Sequence, residues 1–311
     1  MELNLEHFWN SNTPAPPKNE IIGKYEIRSQ LTPPTNYSYI YLGNKIENDK
    51  KKVFKFIKCK RSIMYRIINE IVIMNELDHP NIIKMEDYFQ YKEYICIVTD
   101  YKPLSSLHSF IIKEYPNGIP ERKCKQMFKK MLEAVKYLHE MNIWHRDVKP
   151  DNFLIEDSNP ENPKILLTDF GFARRFNQDE LSEEYIGTPE FCPPEMYNAI
   201  PYNNKVDIYS LGVTLFVMLT ARYPVPSAKN APSRCKELIR KGRLNYQLLD
   251  QKFISSEAID LIKSMCTLDY TDRMTANEAL DHPWFNSISK SNEITNKTHS
   301  GSSSVNEIIV Y

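Results

Sequence analysis

The pattern of apolar and polar positions along the 311 residues changes period once. Between residues 25 and 101, apolar side chains gather in short runs at 37–42, 53–57 and 94–99. These runs hold the β-branched and aromatic residues that pack well on a pleated surface, and they predict strands. One segment interrupts them: from residue 62 to 77, Ile63, Met64, Ile67, Ile68, Ile71, Val72 and Met74 return at helical spacing. Beyond residue 102 the helical period dominates. Residues 121–141 place Cys124, Met127, Phe128, Met131, Leu132, Val135 and Leu138 on one stripe, which predicts a helix with one buried face. Residues 206–220 are apolar nearly all round and predict a helix enclosed on every side. The pattern predicts an α+β, bilobal architecture. A small β-rich N-lobe with one main helix joins a larger α-helical C-lobe near residues 100–103, where a cleft would suit a ligand.

The two ends read differently. Residues 1–24, with Pro14, Pro16 and Pro17, form an extended lead-in, and residues 287–311 form a Ser-, Asn- and Thr-rich tail with the composition of disorder. The expected domain is therefore 25–286, split into lobes 25–101 and 102–286. The last five residues of the tail, Glu307 to Tyr311, are mostly apolar.

Composition narrows the function classes. Hydrophobic residues make up 41% and charged residues 26%, an ordinary globular balance. Forty basic and forty acidic residues cancel, so bulk charge calls for neither nucleic acid nor a membrane surface as partner. A basic run at 50–61 reads as a solvated face. The opening MELNLEHFWN lacks the pattern of a signal peptide, and no stretch approaches the roughly 18 apolar residues of a membrane span. Six cysteines stand singly, with no CxxC pair and no metal spacing, which fits reduced thiols in a cytoplasmic or nuclear protein.

Three segments concentrate the candidate chemistry. They are His145-Arg146-Asp147-Val148-Lys149-Pro150-Asp151-Asn152, then Asp169-Phe170-Gly171, then Gly187-Thr188-Pro189-Glu190-Phe191-Cys192-Pro193-Pro194-Glu195. Each alone has a bland reading as surface or turn; the combination does not. Two short apolar runs, 153–155 and 165–167, lie between the first two segments, and a hairpin made of them would return Asp169 beside Asn152. Together the three segments resemble the eukaryotic protein kinase family of Ser/Thr type, most like its calcium/calmodulin-dependent branch, over about residues 25–285.

The resemblance implies phosphoryl transfer from ATP with Mg2+ to protein Ser/Thr hydroxyls, a reaction whose handling is mostly positioning and charge neutralisation. It implies Asp147 as base, Lys149 near the transferred phosphate, and Asn152 and Asp169 as magnesium ligands. It implies Lys55 as the phosphate-holding lysine, with Glu70 as its partner, placed by the trailing His79-Pro80-Asn81-Ile82 block. Lys58 stands in a similar Phe-Ile-Lys setting, but it leaves a tight gap to Glu70. At the cleft, Thr99 falls at the gatekeeper position, backbone groups of Asp100 and Lys102 would meet the adenine edge, and Ile40, Val53 and Leu154 would line its apolar faces. Glu195 should pair with Arg273, and Asp207 should receive N–H groups of the catalytic loop. Met74, Met85, His145 and Phe170 match the positions of the family's hydrophobic spine.

Two departures from the family pattern stand out. The stretch 31–40, where the family places G-x-G-x-x-G, has no glycine, and Pro33 and Pro34 offer no backbone N–H. Either Lys55 and magnesium do the holding, or ATP binding has decayed and the chain is a pseudokinase scaffold. Secondly, Glu184 stands where the family often needs an activating phosphate. A carboxylate there can pair with Arg146, which predicts activity without phosphorylation of this segment, although Ser182 and Tyr185 are nearby hydroxyls. Asp151 implies a weak preference for basic residues upstream of the target hydroxyl, while Ser106 stands at the second acidic position of basophilic members. Phe172 resembles members that prefer Ser over Thr. No basic amphipathic helix follows His282-Pro283-Trp284-Phe285 and no EF-hand loop occurs, so neither calmodulin nor calcium is an expected partner. A small-molecule phosphotransferase lacks support, because the block 187–195 resembles a peptide-docking platform.

Overall fold

The strand-type runs of the first third pair with one another. The computed structural model describes residues 15, 16, 18–34, 38–156, 159, 162–250 and 254–286. Within them β1 (Glu20–Ile22), β2 (Tyr25–Gln30), β3 (Ser38–Lys45), β4 (Lys50–Lys58), β5 (Met85–Tyr91) and β6 (Tyr94–Asp100) form an antiparallel sheet in the order β1-β2-β3-β4-β6-β5. Side chains alternate across it. On β4, Phe54 and Phe56 turn to one face and join Tyr25, Tyr41, Tyr94 and Val98 in an aromatic cluster. Val53 and Lys55 turn to the other. Lys52 is buried, whereas Lys50, Lys51, Lys60 and Arg61 are exposed, so the basic run is not uniformly the solvated face its composition implies.

Part of the lead-in is among the described residues and runs extended. β1 adds an edge strand to β2, and the carbonyl of Pro16 accepts the Tyr41 hydroxyl at 3.1 Å. Buried tyrosines need such partners, and the lead-in supplies this one. Residues 1–14, Pro17 and the tail from 287 lie outside the described residues.

The segment expected to be one helix starts as a 3-10 turn over Arg61–Ile63 and becomes α1 (Met64–Glu76). Ile67, Ile71 and Met74 are buried as the stripe requires, but Val72 is exposed and Glu70 is buried instead. Then follow β7 (Ser105–Ser106), α2 (Leu107–Glu114), α3 (Glu121–Glu140), β8 (Ile143–Trp144), β9 (Phe153–Glu156), β10 (Lys164–Leu167) and β11 (Arg174–Arg175). The remaining helices are α4 (Pro194–Tyr197), α5 (Lys205–Thr220), α6 (Pro232–Arg240), α7 (Gln247–Asp250), α8 (Ser256–Met265), α9 (Ala276–Leu280) and α10 (Pro283–Asn286). Every expected stripe residue of α3 is buried. On α5 everything from Val206 to Thr220 is buried, and the hydroxyls of Ser210 and Thr214 bond back to carbonyls one turn earlier, at 3.0 and 2.8 Å.

β9 and β10 form the expected hairpin, with Phe153 opposite Leu167. The Thr168 N–H then donates to the carbonyl of Asn152 at 2.8 Å, which brings the next residue, Asp169, to the 145–152 loop. The lobes are stitched at the same place. Leu167 N–H donates to Asn81 O at 2.8 Å, Ile83 N–H donates to Leu167 O at 2.9 Å, and Asn81 Nδ2 reaches Ile165 O at 3.0 Å.

Glu195 on α4 and Arg273 form a two-pronged pair of 2.6 and 3.0 Å between almost fully buried side chains. Breaking such a pair leaves an unanswered charge in a dry site. Arg273→Met should lower the free energy of unfolding by about 3–5 kcal/mol, read by urea titration. A loss under about 1 kcal/mol would show that the pair does not hold the lower lobe.

Candidate active site

The loop 145–152 is a strained piece of backbone held by one acid. Arg146 has φ +64°, a conformation that L residues other than Gly, Asn and Asp adopt rarely. Asp207, fully buried at the start of α5, accepts the N–H of Arg146 at 2.7 Å and of His145 at 2.9 Å. His139 Nε2 lies 2.9 Å from the same carboxylate. Burial alone would push Asp207 up. The hydrogen bond with His139, then the charges of His139 and His145, more than reverse this and hold it below the usual carboxylate range.

Asp147 follows directly, and three partners fix its carboxylate. Thr188 Oγ donates to Oδ1 at 2.7 Å, Lys149 Nζ lies 2.9 Å from Oδ2, and Asn152 Nδ2 reaches Oδ2 at 3.0 Å and the Asp147 carbonyl at 2.8 Å. Lys149 Nζ also donates to Thr188 Oγ at 2.5 Å. Thr188 has a part in the site that its place in the 187–195 block does not announce; the signal is the glycine before it. Gly187 has φ +97°, and a Cβ there would stand 2.5 Å from the carbonyl of Arg146. Only glycine lets this segment approach the loop closely enough for Thr188 to reach Asp147.

A second charged group faces this one. Lys55 Nζ donates to Glu70 Oε1 at 2.7 Å and to Asp169 Oδ1 at 2.8 Å, so β4, α1 and the Asp169-Phe170-Gly171 turn meet at one ammonium. Lys58 lies at the far end of β4, opposite Tyr94. Burial draws the Lys55 pKa down, but Asp169 and Glu70 overturn this and raise it. Lys55 in turn holds Asp169 at about 2, against the opposing effect of burial. Glu70 is raised, because its desolvation outweighs the attraction of Lys55. Asp169 has φ +62°, and Phe170 behind it is fully buried, its ring 5.1 Å from that of His145. Met74 shares the main core with Phe170, and Met85 packs against that core.

Sheet register places the remaining candidates. Ile40 is the cross-strand partner of Lys55, and Thr99 of Val53, so all four share the face that carries the Lys55–Asp169 contact. Asp100 ends β6, and Lys102 accepts a turn hydrogen bond from Leu104 N–H at 2.7 Å. Leu154 is on β9, opposite Ser106 and Leu166. Ser106 itself caps α2, accepting from Ser109 N–H at 3.1 Å, and Asp151 stands 3.6 Å from His108 Nδ1. The glycine-free loop is closed by Leu31 N–H to Ile40 O at 2.8 Å, and its residues 35–37 lie outside the described ones.

In the segment before Gly187, Glu184 hydrogen-bonds the Arg146 guanidinium, whose Nε also donates to Phe172 O at 2.9 Å. Burial pushes Glu184 up, but the bond from Arg146 and the charges of Arg146, Arg174 and Arg66 hold it below its ordinary value. Ser182 is buried and bonded through its backbone to Tyr202, whereas Tyr185 is exposed beside Tyr197.

The Lys55–Asp169 contact gives a titration test. Lys55→Met should move the Asp169 midpoint from about 2 toward the ordinary value near 4, read by carboxyl-carbon NMR. In the native protein Asp169 binds its proton less readily than in the unfolded chain. Its stabilising contribution is therefore full above about pH 4 and fades as pH falls toward about 2. An unmoved midpoint would mean that Lys55 is not its cause.

Comparison with known proteins agrees with this geometry. The family described as protein kinase domain matches residues 35–285. The serine/threonine-protein kinase cds1 of Schizosaccharomyces pombe is 33% identical over 252 residues, covering 79% of this chain and 53% of that protein. Calcium-dependent protein kinase 3 of Plasmodium yoelii yoelii is 34% identical over 284 residues, covering 91% of this chain and 49% of that protein. A probable serine/threonine-protein kinase of Dictyostelium discoideum, fhkD, is 34% identical over 250 residues, covering 76% and 32%. The chain thus spans about half or less of the length of these relatives. With the fold, the three motif segments and these relatives in agreement, the chain belongs to the protein kinase family, among its serine/threonine members.

Proposed function

We propose that this chain transfers the γ-phosphate of Mg-ATP to serine or threonine hydroxyls of protein substrates, with no phosphate needed on its own 182–185 segment. The observation that carries the reading is the closed contact of Lys55 with both Glu70 (2.7 Å) and Asp169 (2.8 Å). It brings the small lobe, α1 and the Asp169 turn into one arrangement. In this reading Asp147 accepts the proton of the attacking hydroxyl, oriented by Asn152 and Thr188. Lys149 neutralises charge beside it, and Lys55 holds the nucleotide phosphates.

The donors suit magnesium. Asp169 and Asn152 present oxygen atoms, which a hard cation prefers, and among the described residues no three His, Cys, Asp or Glu side chains converge into a cage. An ion that keeps waters and shares the phosphates needs no more than these two protein ligands. When bound, it neutralises negative charge on the phosphates. Ile40, Val53 and Leu154 would hold the adenine faces, with Thr99 behind and the backbone of Asp100 and Lys102 at its edge. Asp151 supports a mild preference for an upstream basic residue, tempered because His108 stands beside it. All six cysteines are free and buried, which supports a reducing compartment such as the cytoplasm. The scaffold reading has only the glycine-free loop behind it, while every charged position of the reaction is present and paired.

The test is phosphate transfer from labelled Mg-ATP to a generic basic protein, using material free of phosphate on Ser182 and Tyr185. Asp147→Asn and Asp169→Asn should each lose about 10²–10⁴ in rate. Equal background transfer in wild type and both variants would sink the proposal.

A further inference from the structure

Lys52 carries a charge that the proposed reaction does not use. Its side chain is 3% exposed, and burying an ammonium is costly unless other charges answer it. Two carboxylates do: Nζ lies 2.6 Å from Asp100 Oδ1 and also hydrogen-bonds Glu86 Oε2. The three residues come from β4, β6 and β5, which lie side by side in the sheet. Lys52 and Asp100 are direct cross-strand partners. Glu86 is the extra residue of a bulge, since Met85 faces Thr99 while Asp87 faces Val98. A bulge re-aims a side chain, and this one turns the carboxylate across β6 onto Lys52. The bond from Lys52 is also the main reason that Asp100 sits below the ordinary carboxylate range.

The place of this clamp gives it meaning. β6 ends at Asp100, and one further bond, Tyr101 N–H to Lys51 O at 3.2 Å, follows before the chain crosses to the larger lobe. Thr99 and Val53, one residue back on β6 and one on along β4, face the opposite side of the sheet, toward the cleft. We infer that Lys52 is a positioning residue for nucleotide binding: from behind the sheet it fixes the last residue of β6, so that the backbone at Asp100 and Lys102 meets the purine edge in one geometry. This rests on the Mg-ATP reading above. Without Lys52, the carboxylates of Glu86 and Asp100 would repel each other at the point where the sheet hands over to the linker.

The experiment is calorimetric binding of Mg-ATP to the intact chain, beside steady-state kinetics. Lys52→Met should weaken binding and raise KM for ATP about threefold to tenfold, with kcat within about twofold of wild type. Lys52→Arg should restore most of the affinity, and adding Glu86→Gln to Lys52→Met should recover part of it by removing the repulsion. Wild-type affinity in Lys52→Met overturns the inference. So does a loss confined to kcat, or a folded Lys52→Arg that binds no better than Lys52→Met. Should Lys52→Met fail to fold, Glu86→Gln alone loosens one arm and should weaken binding about twofold; unchanged binding overturns the inference. A wild type that binds Mg-ATP but transfers no phosphate sinks the kinase reading and leaves the clamp to be judged on dissociation constants. A wild type that binds none sinks both.

Discussion

The catalytic loop depends on the carboxylate of Asp207. It is fully buried, and an ion placed there without partners would cost several kcal/mol. Its partners are the N–H groups of His145 and Arg146 together with the His139 ring, so the same bonds that stabilise the acid also dictate the path of the loop. A left-handed residue such as Arg146 costs of order 1–3 kcal/mol and persists only where its surroundings over-determine it. Given that turn, the Arg146 guanidinium reaches Phe172 O and Glu184, and Asp147 emerges on the other side toward Thr188 and Lys149. Backbone strain at one residue is thereby converted into the placement of two functional side chains.

The site repeats one electrostatic device at several scales. Lys55 is shared between a buried acid from α1 and a half-exposed acid from the Asp169 turn, and Lys52 between a bulge residue and the last residue of β6. Each ammonium ties together elements distant in sequence, and in each case at least one partner remains accessible to water. The Glu195–Arg273 pair is closed off from water, whereas each of these ammonium clusters keeps at least one acid in contact with it.

Much of this was legible in the chain because it is written in local periodicity. The stripe of α3 and the enclosed α5 follow from apolar spacing alone, and the hairpin 153–167 from two short apolar runs flanking a polar gap. What could not be read has a common physical origin in long-range partners. The exposure of Val72 on the apolar stripe was not legible, whereas the burial of Glu70 goes with the Lys55 pairing that the family resemblance implies. The contacts of the lead-in are likewise long-range, with β1 paired to β2 and the Pro16 carbonyl accepting the Tyr41 hydroxyl of β3. Lys52 sits in a run of lysines, and no local feature separates it from its exposed neighbours. The difference is a bulge on β5 more than thirty residues away. Thr188 lay within a recognised block; Gly187 before it hints at a close approach, but that the approach is to Asp147 is settled by a loop some forty residues earlier.

The loop between β2 and β3 lacks the glycines that the family pattern places there. Glycines there would let bare N–H groups approach phosphate, whereas Pro33 and Pro34 have none to offer. In the proposed reaction, anion holding would then fall on Lys55. Its ammonium is pinned by two acids, so it loses little side-chain freedom when phosphate arrives, and a cation fixed in advance loses less entropy on binding than a free lysine. Lys55 holds Asp169 at about 2, so its carboxylate keeps its charge even in mildly acidic solution. A carboxylate that carries its charge before the cation arrives spends no free energy on proton release. In the proposed reaction, charge preorganised on the floor of the cleft would take the place of backbone donors in its roof, and the fold supplies that charge through contacts that join β4, α1 and the Asp169 turn.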